Sequence, residues 1–285
     1  MKKFILALLI FGAFSQPSLA FERPDCLNFS LSRNEKAVKK VLKSQIKYAN
    51  RMNYEKFMST FDENYLNADG FNLETYSKLV KDIWGTYKKL KYGIEIKDIT
   101  VTNDTAVINV IETSSAKLPV NEVYDGILDS VAESTYYLKK HDKVWKVYSD
   151  SVKDETTSML YGDAKNLEIK LSAPLTVEAG QEYCATLEFE PPEDTMAIAS
   201  IASDIVEYPQ KPTQEVFRAL PDDCILERLF TANSQNANEY IVASIGLTKA
   251  DVQDLSIKLS LTGFGYKIKR VNVIKTNNKD IDVKI

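Results

Sequence analysis

Apolar residues recur at helical spacing only in the first part of this chain, and from about residue 93 onward they alternate with polar ones. A period near 3.6 buries one stripe of a helix, whereas a period of two buries one face of a strand. Ser32 followed by Glu35 forms a capping box, and Val38, Val41, Leu42, Ile46 and Ala49 then mark the apolar face of a first helix. Tyr54, Phe57, Met58 and Phe61 after Asn53 predict a short second helix. Tyr76, Leu79, Val80 and Ile83 after Asn72 predict a third, ending between Gly85 and Gly93.

Four strands are then expected, at 92–102, 105–113, 132–140 and 143–150, separated by turns at Asn103-Asp104 and His141-Asp142. The parity break between Ile96 and Ile99 predicts a bulge that curves the sheet. Helices followed by a curved antiparallel sheet make this part an α+β unit spanning residues 32–152.

A polar stretch at 153–165 reads as a linker, and period-two runs fill 166–285. Strands are expected at 167–171, 183–189, 196–205, 225–231, 239–245, 255–261 and 266–274, which suggests an all-β sandwich of immunoglobulin-like architecture. Leu255, Ile257, Leu259 and Leu261 alternate with polar residues in the clearest half-buried strand of the chain. Phe217 to Leu220 reads as a short helical link.

The first twenty residues have the pattern of a secretory signal: Lys2 and Lys3, an apolar run from Phe4 to Phe14, then Ser18-Leu19-Ala20. Residues 21–31 form an N-terminal lead. No later stretch is long and apolar enough for a membrane helix, so a periplasmic or extracellular protein without membrane insertion is expected. Removing the signal takes the formal charge from −4 to −6, which disfavours nucleic acid as a partner. The lysines at 39, 40, 43 and 47 read as a solvated helix face. Of three cysteines, Cys184 and Cys224 share the second domain and are expected to pair, whereas Cys26 lies in the lead.

The helical segments, with FMSTFDENYLNADGFN leading into the third and STYYLKKHDKVWKVYS in the last two strands, resemble the nuclear transport factor 2-like superfamily over residues 32–152. That superfamily includes SnoaL-like and ketosteroid isomerase-like proteins. The resemblance implies a cone of three helices on a curved sheet around an apolar pocket. In the isomerase branch it places the carboxylate base at Asp69, but the oxyanion tyrosine falls near Gln45, with Tyr48 one turn on, and the second acid near Ser134. One match in three argues against steroid-isomerase chemistry.

Asp69 also fits ordinary turn chemistry in Asn67-Ala68-Asp69-Gly70. Glu112 shares parity with Ala106, Ile108 and Val110, so it is either a buried acid-base group or a strand end turning to solvent. His141 is the only histidine and sits in a hairpin tip, so a Ser-His-Asp triad is unsupported. No metal spacing and no Gly-rich phosphate loop occur, and no cofactor is expected.

Aromatic residues are the richer signal. Tyr48, Tyr65, Tyr76, Trp84, Tyr136 and Trp145, with Phe57 and Phe61, would line the cone as a pocket for a small, partly apolar ligand or fill it as core. Residues 117–129, with Glu122, Asp125 and Asp129, are either a flap over that pocket or a hairpin connection. The expected function is that of a non-catalytic binding or interaction protein. The alternatives are a SnoaL-like isomerase, cyclase or hydrolase with Asp69 or Glu112 as base, and a structural homodimer with a filled cone.

Overall fold

The computed structural model describes residues 32–119, 125–211, 214–253 and 256–275. The signal sequence, the lead with Cys26, and Glu122 lie outside the described residues.

Helix α1 (Arg33–Ala49) begins on the capping box, with the Ser32 hydroxyl accepting from the Glu35 amide and the Glu35 carboxylate returning to the Ser32 amide. Its buried stripe includes Val38, Leu42 and Ala49. The Asn53 side chain caps α2 (Tyr54–Met58) and the Asn72 side chain caps α3 (Leu73–Thr86), whose apolar face buries Tyr76, Leu79, Val80, Ile83 and Trp84.

Four long strands follow: β1 (Lys91–Thr102), β2 (Thr105–Pro119), β3 (Asp125–His141) and β4 (Val144–Gly162). The expected bulge is present as a register shift between Ile96 and Asp98, and the β3–β4 pairing shifts twice more, at Glu133/Ser134 and Tyr137/Leu138. Each shift adds local twist and bends the sheet around the helices. Most of 117–129 belongs to the ends of β2 and β3, and Asp125 is ion-paired with Lys165.

The segment 153–165, expected to be a linker, is the second half of β4 followed by a 3-10 turn at Asp163–Asn166. Its polar residues are strand residues whose inward members have partners: Tyr240 donates to Glu155 and Thr157 bonds Ser130.

The remaining strands are β5 (Lys170–Ser172), β6 (Thr176–Glu178), β7 (Glu182–Glu188), β8 (Met196–Ile205), β9 (Arg218–Ala219), β10 (Ile225–Thr231), β11 (Glu239–Gln253) and β12 (Ser256–Ile274). The two strands expected at 255–261 and 266–274 are one. The Gly-Phe-Gly break between them is a close approach rather than a turn, since a Cβ on Gly263 would lie 2.6 Å from the Ala164 nitrogen. The expected helical link at Phe217 to Leu220 contains the short edge strand β9, paired with Ala199 and Ile198.

One sheet runs through the molecule in the order β1-β2-β3-β4-β12-β11-β8-β9, with β6 parallel to the end of β12, and a second sheet has the order β10-β7-β5. The sandwich expected for 166–285 is therefore not closed on itself, because one of its layers continues the sheet of the cone. Helices cover one face of the large sheet at its β1–β4 end, and the small sheet covers the opposite face at its β12–β8 end. Alternation along β11 feeds both sides: Tyr240 and Val242 join the helix-side core, whereas Ile241, Ala243 and Ile245 join Tyr183, Leu187 and Phe189.

Cys184 and Cys224 are both free, which corrects the expected disulfide. Cys184 pairs with Leu229, and the Cys224 carbonyl accepts from the Phe189 amide. The two cysteines are thus five residues apart along β7, about 17 Å at strand rise, far beyond the reach of a bridge.

Candidate functional site

Tyr65, Tyr76, Trp84, Tyr136 and Trp145 are all buried beneath the helices, and Tyr48 is half-buried against the same cluster. Ring centroids lie 5.1 Å apart for Phe61–Tyr65 and Phe61–Tyr76, 5.3 Å for Phe57–Phe61 and Tyr65–Tyr76, and 5.4 Å for Phe57–Trp84. These tilted and edge-on contacts fill the space between helices and sheet. The Trp84 indole donates to the Tyr92 hydroxyl at 2.8 Å.

Glu112 points to the helix side, as its parity with Ala106, Ile108 and Val110 predicts. Both of its oxygens are occupied: Ser134 and Tyr136 each donate a hydroxyl at 2.6 Å. Burial pushes its pKa up to about 8 against these two hydrogen bonds, so it is mainly protonated at neutral pH. Ser134, which the resemblance put at the position of a second acid, is instead a hydroxyl donor to Glu112.

Asp69 sits in the expected Asn67–Gly70 turn, where the Asn67 side chain accepts from the Asp69 and Phe71 amides, but its carboxylate is not free. Residues 62–68 pair with the early part of β4, beyond the point where β12 stops: the amides of Asp62, Leu66 and Ala68 donate to the carbonyls of Val147, Tyr148 and Asp150. This sets Asp69 against β12, where Arg270 grips it with one nitrogen at 2.5 Å and another at 3.1 Å. The side chains are 3% and 1% exposed, and Asn238 also donates to Asp69 at 2.7 Å. A carboxylate held this way is a structural anion, poorly placed to remove a proton from a substrate.

Two further acids join the network. The Asp150 carboxyl accepts from the Tyr65 hydroxyl and is pushed up to about 6 by burial. Glu155 accepts from Tyr240 at 3.0 Å and is pushed up to about 7 by burial, with the Arg270 charge opposing. Burial holds Tyr65, Tyr136 and Tyr240 well above the usual phenol range, so each stays a donor. Sequence reasoning missed Asp150, Glu155 and Arg270. Only the parity of Arg270 with Tyr266 and Ile268 along β12 hinted at an inward arginine.

His141 sits at the β3–β4 hairpin and is mostly exposed, with Nε2 2.8 Å from a carboxylate oxygen of buried Asp62. Among the described residues no group of three or more histidine, cysteine or acidic side chains is placed to hold a metal, and no helix is long and apolar enough to cross a membrane.

On the other face of the sheet lies an open cleft of about 330 Å³ at strands β1–β3. Gly93, Thr113 and Val131 are register partners in one row, and Lys91, Ser115 and Asp129 in the next. A Cβ on Gly93 would meet the Thr113 hydroxyl at 2.4 Å, so the floor depends on the missing side chain. Burial raises the Asp129 pKa against the pull of Lys267.

A family model described as "Anti-sigma-I factor RsgI9, C-terminal domain" matches residues 40–159, less than half of the chain. Among solved structures, Bd1075 from Bdellovibrio bacteriovorus is 14% identical with a TM-score of 0.36, over 42% of this chain and 40% of that one. The chain thus spans well under half the length of Bd1075. A putative dehydratase of the NTF2-like family from Streptomyces avermitilis is 14% identical, with a TM-score of 0.35 over 41% of this chain and 93% of that one. A SnoaL-like polyketide cyclase from Agrobacterium tumefaciens is 8% identical, with a TM-score of 0.29 over 41% and 89%. The comparison with curated proteins found no significant match. The N-terminal part of this chain places three helices on one face of a curved four-stranded antiparallel sheet.

Proposed function

We propose that this chain is an exported, non-catalytic binding protein in which the cone is a scaffold and the cleft on the outer face of β1–β3 takes a small polar ligand. The observation that carries this reading is that the acids of the cone are taken: rings pack its interior, Glu112 has both oxygens bonded and Asp69 is clamped by Arg270. What is left is the Gln45 Nε2 amide and Trp145 Nε1 indole donors, buried there without a partner among the described residues. The cleft, by contrast, offers one cation, one anion and hydroxyls from Lys91, Asp129, Thr113 and Ser115. That set suits a small zwitterion, such as an amino acid or short peptide, with its carboxylate toward Lys91 and its ammonium toward Asp129.

Ligand-observed NMR of the full chain against amino acids, dipeptides and neutral polyols tests this. Zwitterion signals that vanish in the Lys91→Met/Asp129→Asn variant are the expected result. Zwitterions that fail to bind, or that bind the variant equally well, would sink the reading. A catalytic cone would instead lose ligand on substitution of Glu112 and not of the cleft.

A further inference from the structure

The row of side chains that crosses the cleft extends beyond it. Lys91, Ser115 and Asp129 are register partners on the outer face, and the same row continues through Ser158 on β4 to Lys267 on β12. Charge along it reads positive, negative, positive. Neighbouring strands lie about 4.8 Å apart, so the two lysines stand at the ends of a row about 19 Å long with Asp129 at its centre.

Lys267 is enclosed on one side. Ala243, its partner on β11, is buried in the core that the small sheet covers. Hydrocarbon therefore closes the β11 side of the lysine stem, and the open direction runs back toward Asp129. The residue is half-buried: burial pulls the ammonium pKa down, and the Asp129 charge pulls it the other way. The nearby cations already have anions of their own. Lys269 is bonded to Asp154, and Lys165 in the 3-10 turn to Asp125. Among the described residues Asp129 is thus the one carboxylate whose charge acts on Lys267, and it is also the carboxylate that the cleft offers to a ligand's ammonium.

We infer that Lys267 sets the specificity of the cleft and that the ligand is a dicarboxylic amino acid, with one carboxylate toward Lys91, its ammonium toward Asp129 and its second carboxylate toward Lys267. The inference rests on the reading of the cleft as a zwitterion site. Lys91, Asp129 and Lys267 together carry one positive charge, which a neutral zwitterion leaves uncompensated and an acidic amino acid cancels. An ammonium already stripped of part of its water loses less on pairing, so the second carboxylate is favoured at Lys267. Lysine meets a carboxylate as a compact point charge on a flexible stem, so the selection is by charge more than by shape. Glutamate should therefore be held more tightly than glutamine, which has the same size and lacks the second charge.

Isothermal titration calorimetry of the full chain with glutamate, glutamine, aspartate and asparagine tests the inference. Each acid is expected to bind roughly tenfold or more tightly than its amide, with the ratio shrinking as salt rises. Lys267→Met should bring the ratio close to one, and Lys267→Arg should keep it. Equal affinity of acid and amide in the wild-type chain would overturn the inference while leaving the zwitterion reading intact, and so would a preference that survives Lys267→Met. Acid and amide lost alike in Lys267→Met would make Lys267 a structural support and overturn its role in specificity. A wild-type chain that binds none of the four would remove both readings. The wild-type ratio needs no variant, so the test holds even if a substitution unfolds the chain.

Discussion

The two sides of the large sheet solve burial differently. On the helix side, ionisable groups are taken inside: Arg270 and Asp69 pair as ions, and Glu112, Asp150 and Glu155, whose pKa values burial raises, lie behind tyrosine and serine hydroxyls. On the sandwich side, Leu187, Ile241, Ala243 and Val271 meet almost wholly as hydrocarbon, and the one acid buried there among the described residues, Glu239, accepts from Tyr183 at 2.6 Å. The same strands build both, so the difference comes from alternate residues rather than from separate folds. Charge inside is tolerable only as a closed set, whereas hydrocarbon loses stability roughly in proportion to what is removed.

Removing Arg270 tests this contrast most sharply. Arg270→Ala leaves Asp69 and Glu155 without their cation and is expected to cost about 3–5 kcal/mol in urea unfolding. Arg270→Met combined with Asp69→Leu should recover much of that loss, because the pair leaves together. Leu187→Ala on the sandwich side should cost about 2–4 kcal/mol, with no second substitution on that side able to restore it by charge balance.

The next effect depends on pH. Glu112 keeps its proton to about pH 8 in the folded chain, whereas an unfolded glutamate releases it near its ordinary value. Between those limits the native state holds more protons, so this residue's contribution is fully present below the lower limit, declines as pH rises toward 8, and is flat above. One such group gives a slope of about 1.4 kcal/mol per pH unit. Glu112→Gln should flatten the stability profile by that slope, and an unchanged profile would place Glu112 in a wetter setting. The smallest expected effect is local: Ser32→Ala removes the α1 cap at about 1 kcal/mol.

What the sequence revealed follows the same division. The α1 cap and the β1 bulge were legible because their causes lie within a few residues. The parity of Glu112 announced an inward carboxylate. The Arg270–Asp69 pair was not legible, since it joins positions 201 residues apart. The second half of β4 was misread because Glu155 and Thr157 look like solvent residues until Tyr240 and Ser130 are placed against them. The cysteine pairing failed because sharing a domain says nothing about register along a strand.

The continuous sheet also sets which changes in sequence the protein can accept. Around Val242 and Ala243, β11 has no solvent face, since one side belongs to each core. A single-residue deletion there would send every following side chain to the opposite face, turning Ser244 toward the aliphatic core and Ile245 and Leu247 toward the helix side. Such a strand answers to two patterns of burial at once, so it has no residue at which a change of length would be neutral.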